Sequence, residues 1–193
     1  MCKRSFVYVT YIAATPENLW QALTDGDLTE KYFFGTRVES EWTVGSSVNY
    51  LRGGEVTDYG KVLACDAPRQ LSFTWIYKGD NTPRNSPGVV TFELQPMGSV
   101  VKLILRHENL LDSDFVDEER TFEGYNNGWP AILSNLKTFL EQARRCCRSP
   151  YNGLRTIIPS KDKTKAGVLE KRTSGFSCLM KLKMLPVHPN EFS

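Results

Sequence analysis

Trp129-Pro130-Ala131-Ile132-Leu133-Ser134-Asn135-Leu136-Lys137-Thr138-Phe139-Leu140-Glu141-Gln142-Ala143 sets Ile132, Leu133, Leu136, Phe139, Leu140 and Ala143 on one stripe, with Asn135, Lys137, Glu141 and Arg144 opposite. That is an amphipathic helix of about four turns, which needs an apolar surface to lie on. Pro130 is tolerated if it falls in the first turn, where its missing N–H would be unpaired in any case. The surface for this helix comes from the residues before it. Between Thr36 and His107, runs rich in β-branched and aromatic residues alternate with turn residues. The runs are Val38 to Trp42, Ser47 to Leu51, Val56 to Ala64, Gln70 to Tyr77, Val89 to Leu94 and Val100 to Arg106. Leu71, Phe73 and Trp75 alternate with Ser72, Thr74 and Ile76, so one face is apolar. Short connections make these runs an antiparallel meander.

Ahead of the meander, Phe6-Val7-Tyr8-Val9-Thr10-Tyr11-Ile12 reads as a strand. Thr15-Pro16-Glu17 then starts a helix, with Thr15 as N-cap and Glu17 at the positive end. Asp25-Gly26 stops it, and a second short helix is predicted from Leu28 to Phe33. The predicted order is one strand, two short helices, six strands and a long helix. An α+β fold, a seven-stranded curved antiparallel sheet around the long helix, buries both apolar faces.

Charge divides the 193 residues unevenly: residues 1–147 carry a balance of −4 and residues 148–193 carry +6. The expected organisation is one domain over 1–147 and a basic, disordered or irregular tail over 148–193. Nucleic acid as a partner would fall to that tail alone, where aromatics are sparse. No apolar run approaches the roughly 20 residues of a membrane span. Five cysteines in odd number, without metal-ligand spacing, fit a reducing, cytoplasmic setting.

Four ordered stretches resemble one family, the homologues of the C-terminal domain of the activator of the heat-shock ninety ATPase. They are Val9 to Ile12 with Thr15 to Thr24, Gly60 to Leu63 with Pro68 to Trp75, Val90 to Leu94, and Gly128 to Lys137. The resemblance implies the helix-grip fold of the START-like superfamily, with a cavity between long helix and sheet. It implies no enzymatic activity, since that scaffold serves carriers, cyclases and chaperone regulators alike. The family's chaperone role belongs to proteins with an additional N-terminal domain. Here the domain starts within the first few residues, so chaperone activation ranks behind ligand binding.

In that fold Tyr32, Phe33, Trp75, Tyr77, Phe92 and Trp129 would line the cavity, with Arg106, Arg37 and Tyr50 as polar handles. Trp20 and Phe92 weigh more as core. The expected function is non-catalytic binding of a small hydrophobic ligand: a lipid, sterol-like or polyphenol-like molecule. The alternatives are a regulatory module for a chaperone or transcriptional regulator, with a role in stress response, and a cyclase or hydrolase. The last would use His107 or Glu108 as general base beside Tyr77 or Arg106. A solvated strand end is the preferred reading of His107-Glu108. The cluster Asp112, Asp114, Asp117, Glu118 and Glu119 is read as negative charge before a helix start rather than a metal site. No catalytic set, metal site or cofactor motif stands out.

Overall fold

The computed structural model describes residues 4–118 and 120–146, so the expected tail lies outside the described residues. The elements run β1 (Arg4–Ile12), α1 (Pro16–Thr24), α2 (Gly26–Tyr32), β2 (Thr36–Ser40), β3 (Ser47–Arg52) and β4 (Glu55–Asp66). They continue through β5 (Gln70–Tyr77), β6 (Gly88–Met97), β7 (Val100–Leu110), a single 3-10 turn at Asp112–Asp114, and α3 (Tyr125–Cys146). The sheet order is β1-β7-β6-β5-β4-β3-β2 with every pairing antiparallel. Strands β2 to β7 form the meander, and β1 returns beside the last strand.

Capping explains the helical hairpin. Thr15 Oγ1 accepts from the Asn18 N–H at 3.2 Å, and Pro16 takes the first turn of α1. Asp25 ends α1 and, through a carboxylate that accepts from the Asp27 N–H at 2.8 Å, begins α2. That cap starts α2 at Gly26, two residues before the predicted Leu28. Register shifts between β1 and β7, β3 and β4, and β4 and β5 are bulges, which bend and twist a sheet.

The core lies between the inner sheet face and α3. Leu71, Phe73, Leu103, Leu105, Leu133 and Leu136 are fully buried there, each worth about 2 kcal/mol in removed apolar area. Ala143, placed on the apolar stripe by spacing, is exposed. Two residues of the polar face have structural work instead. Lys137 Nζ donates to the Tyr11 carbonyl at 2.6 Å, and Glu141 Oε1 accepts from the Ala13 N–H at 3.1 Å, so α3 is fastened to the end of β1.

The long helix also starts earlier than expected. Its first residue is Tyr125, so Pro130 sits in the second turn and not the first. The Asn126 carbonyl therefore lacks its intrahelical donor. The Asn126 side chain meanwhile grips the preceding segment, accepting from Val116 N at 3.0 Å and donating to Val116 O at 2.8 Å. The acidic cluster does not serve the helix start: α3 has no acidic residue in its first turn, and Asp114 turns inward.

Candidate functional site

Inward-facing residues of β5 cross the whole grip: Leu71 and Phe73 at one end, Trp75 in the middle, Tyr77 at the other end. The two ends are filled differently. Around Phe73, the rings of Trp42, Tyr50, Trp75 and Phe92 all lie within 6.3 Å, centroid to centroid. The space left beside them, lined by Tyr32, Tyr50, Phe92 and Leu133 among others, is about 10 Å³. That is about one water's worth. Past Trp75 the filling stops. A recess of about 620 Å³ opens over Phe33, Asp58, Trp75, Tyr77, Trp129 and Ile132. A second of about 300 Å³ shares Trp75, Tyr77 and Tyr125 with it and reaches His107 and Gly88.

The mouth of the larger recess carries two exposed rings in contact, Phe34 and Phe122, with centroids 5.7 Å apart. Phe34 holds a left-handed backbone (φ 52°), which costs a non-glycine residue about 1 kcal/mol. Strain of this kind persists where neighbours impose it, and it gathers at binding sites.

His107 is fully buried, against the expected solvated strand end, because β7 continues to Leu110 and keeps position 107 in phase with Leu103 and Leu105. Its Nδ1 lies 3.1 Å from Trp129 Nε1. An indole nitrogen only donates, so Nδ1 accepts, and the neutral ring carries its proton on Nε2. Burial pushes the His107 pKa down to about 3, with Asp114 pulling it up and Arg84 down. The ring is neutral near pH 7. Its one lone pair is spoken for by Trp129, so it has no base to offer. Glu108 is exposed on the opposite face, so the expected acid–base pair does not form.

Polar groups line the hollow end as matched sets. Arg84, in the loop between β5 and β6, donates from Nη2 to Asp80 Oδ2 at 2.5 Å and to Asp114 Oδ1 at 2.6 Å. Burial raises the Asp114 pKa, but Arg84 and the Leu111 N–H outweigh it and hold the carboxyl below its usual range. Asp58 goes the other way. Burial dominates and raises its pKa, opposed by the Thr57 hydroxyl, Arg52 and the Trp75 indole. Trp75 Nε1 itself closes no hydrogen bond of normal geometry. Among the described residues no group of three or more His, Cys, Asp or Glu is placed to hold a metal ion. No described helix is long and apolar enough to cross a membrane.

The seven residues expected at the site divide in three. Phe33, Trp75, Tyr77 and Trp129 line the larger recess. Tyr32 and Phe92 are buried at the packed end, where the Tyr32 hydroxyl donates to the Ala22 carbonyl at 3.0 Å. Arg106 does not reach the cavity: it is exposed on the outer sheet face and pairs with Glu93 at 3.2 Å. Arg37 likewise pairs with Asp27 at the surface, and Tyr50 is buried with its ring 4.7 Å from that of Trp75. Residues not anticipated are Asp58, Arg84 and Tyr125, and Asp114, read as charge before a helix start, is the carboxylate that holds Arg84 instead. Only the Asp80-Asn81-Thr82 turn, where Asp80 Oδ1 accepts from the Thr82 N–H at 2.8 Å, marked that loop as ordered.

Comparison with known proteins fits this architecture. Residues 13–141 match the family described as Activator of Hsp90 ATPase homolog 1-like protein. No curated protein matches in sequence. Among solved structures, a Mesorhizobium loti protein is 28% identical with a TM-score of 0.59, over 72% of this chain and 98% of that one. An HSP90 activator from Plasmodium falciparum is 24% identical with a TM-score of 0.58, over 71% of this chain and 96% of that one. The Aha1 dimer from Colwellia psychrerythraea is 22% identical with a TM-score of 0.57, over 72% and 96%. The last two show a shared fold.

Proposed function

The chain belongs to the family of activator of Hsp90 ATPase homolog 1-like proteins, and on that premise we propose that it holds a small hydrophobic ligand in the hollow end of the grip without transforming it. The observation that carries this reading is the aromatic recess of about 620 Å³ beside a packed end with almost no free space. Such a volume suits a small molecule, and apolar walls with a few polar groups are the usual composition of a binding site. The strained Phe34 at the mouth supports it. A hydrolytic or cyclase role is disfavoured by His107, whose acceptor nitrogen is engaged by Trp129. Chaperone stimulation rests on family membership alone and ranks second.

Titration of the full chain with a panel of lipid, sterol-like and polyphenol-like molecules, followed by tryptophan fluorescence, tests the proposal. Trp75 and Trp129 line the recess, so occupancy changes their emission. A saturable change that weakens in Phe33→Ala is expected. The absence of any saturable change across the panel removes the reading.

A further inference from the structure

We propose that the smaller recess receives the carbonyl oxygen of a neutral ligand, which the His107 Nε2–H grips while Trp75, Tyr77 and Tyr125 hold the apolar body. This rests on the ligand-holding reading above and narrows it to one chemical class.

The starting point is what is left unpaired. Among the described residues, two buried side-chain polar atoms close no hydrogen bond of normal geometry, His107 Nε2 and Trp75 Nε1; the Trp75 indole is drawn to the Asp58 carboxylate, which leaves His107 Nε2 as the donor without a counterpart. Both are donors, since Trp129 has fixed the His107 proton on Nε2 and an indole nitrogen can only donate. No buried side-chain acceptor is orphaned with them. A buried donor without a partner costs about 1–3 kcal/mol, so a ligand that supplies an acceptor recovers that cost. Both residues line the recess of about 300 Å³.

Space at the nitrogen comes from Gly88. A Cβ at that position would stand 2.6 Å from His107 Nε2, so any other residue would collide with the donor. The Tyr125 ring packs edge-on against the imidazole, centroids 4.3 Å apart, and lines the same recess.

Charge decides which oxygen. Arg84 is saturated by Asp80 and Asp114. Arg52 is tied through Nε and Nη2 to Thr36 Oγ1, with Asp58 lining the same recess. Among the described residues that line the smaller recess, Arg84 is the one cation and both its carboxylates are in place, so nothing there balances a carboxylate or phosphate, and the imidazole is neutral. A ketone, ester or quinone oxygen accepts without bringing charge or a proton that needs its own acceptor.

The test compares α-tetralone, its parent hydrocarbon tetralin, and tetralin carboxylate. Each is titrated into the isotope-labelled full chain while the indole N–H signals of Trp75 and Trp129 and the imidazole nitrogens of His107 are followed by NMR. The expected result is that α-tetralone binds about tenfold tighter than tetralin, with the carboxylate weakest. The protonated Nε2 signal should shift with the ketone and stay still with the hydrocarbon. In His107→Phe the ketone and hydrocarbon should bind equally. Because that variant also strips Trp129 of its acceptor, the Nε2 measurement on the unaltered chain stands as an independent check. An unprotonated Nε2, equal binding of ketone and hydrocarbon, a ketone preference that survives His107→Phe, or tightest binding by the carboxylate would each overturn the proposal while leaving the cavity reading intact. Failure of all three probes to bind a chain that responds to the wider panel overturns the carbonyl site alone, and silence to the panel as well overturns both.

Discussion

The two ends of the grip share one sheet face, one long helix and the same kinds of side chain, yet one end is solid and the other hollow. At the solid end every ring meets another ring or an aliphatic chain from α3, and the leftover space is about 10 Å³. At the hollow end the opposing layer is not α3 alone but the loop between β5 and β6, and the first turn of α3 around Gly124, Tyr125 and Gly128. Two glycines and a polar loop cannot fill the volume that leucines fill. An aromatic residue on the inner face is therefore core or cavity wall according to what lies across from it, and not by its own type.

Substitution at the solid end tests this contrast most severely. Phe73→Ala, in a site with no exposure and four ring neighbours, should cost about 4 kcal/mol of unfolding free energy, read from chemical denaturation. A loss below about 1 kcal/mol would mean the solid end is loosely packed after all.

The middle of the molecule should show a pH signature. Between about pH 6.5 and about pH 3 the unfolded imidazole of His107 takes up a proton that the folded one refuses. The unfolded state then binds more protons, so stability falls as pH falls through that window. Asp114 and Arg84 also face the ring, with opposite effects on it. From pH 7 to pH 4.5 the His107 contribution amounts to about 2–3 kcal/mol, and His107→Gln should remove it. Denaturation curves of both proteins at the two pH values measure it, and parallel losses in the two would refute a buried neutral imidazole.

The smallest effect belongs to the mouth. Tyr77 is 51% exposed, so Tyr77→Ala should change stability by less than about 0.5 kcal/mol while weakening ligand binding in the fluorescence titration. If stability drops by much more, the hollow end is held by Tyr77 and is not an open site.

Much of the architecture was legible in the sequence because two periodicities carry it. The alternation Leu71, Phe73, Trp75 and the stripe Ile132, Leu133, Leu136 fixed the sheet and helix faces. The site was legible only in part. Val101, Leu103, Leu105 and His107 share a parity that places the imidazole inside and Arg106 outside, but polar residue type outweighed that count. The early start of α3 was hidden because Asn126, Asn127 and Gly128 are poor helix formers. Arg84 lay in a polar loop with no period at all. Its partners, Asp80 and Asp114, are 4 and 30 positions away, and only folding brings the second of them near.

That guanidinium has a dynamic consequence. The ten-residue connection from Lys78 to Pro87 would ordinarily sample many conformations, each fixed residue costing about 1–2 kcal/mol of entropy. The ends of the segment are tied by the Lys78 N–H to the Thr57 carbonyl and by the Asn109 amide to the Pro87 carbonyl, and its middle is held by one side chain, bonded to carboxylates at the start of the loop and at the 3-10 turn beyond β7. The central residues should therefore open together, with their amides exchanging with solvent at a common rate set by how often Arg84 lets go.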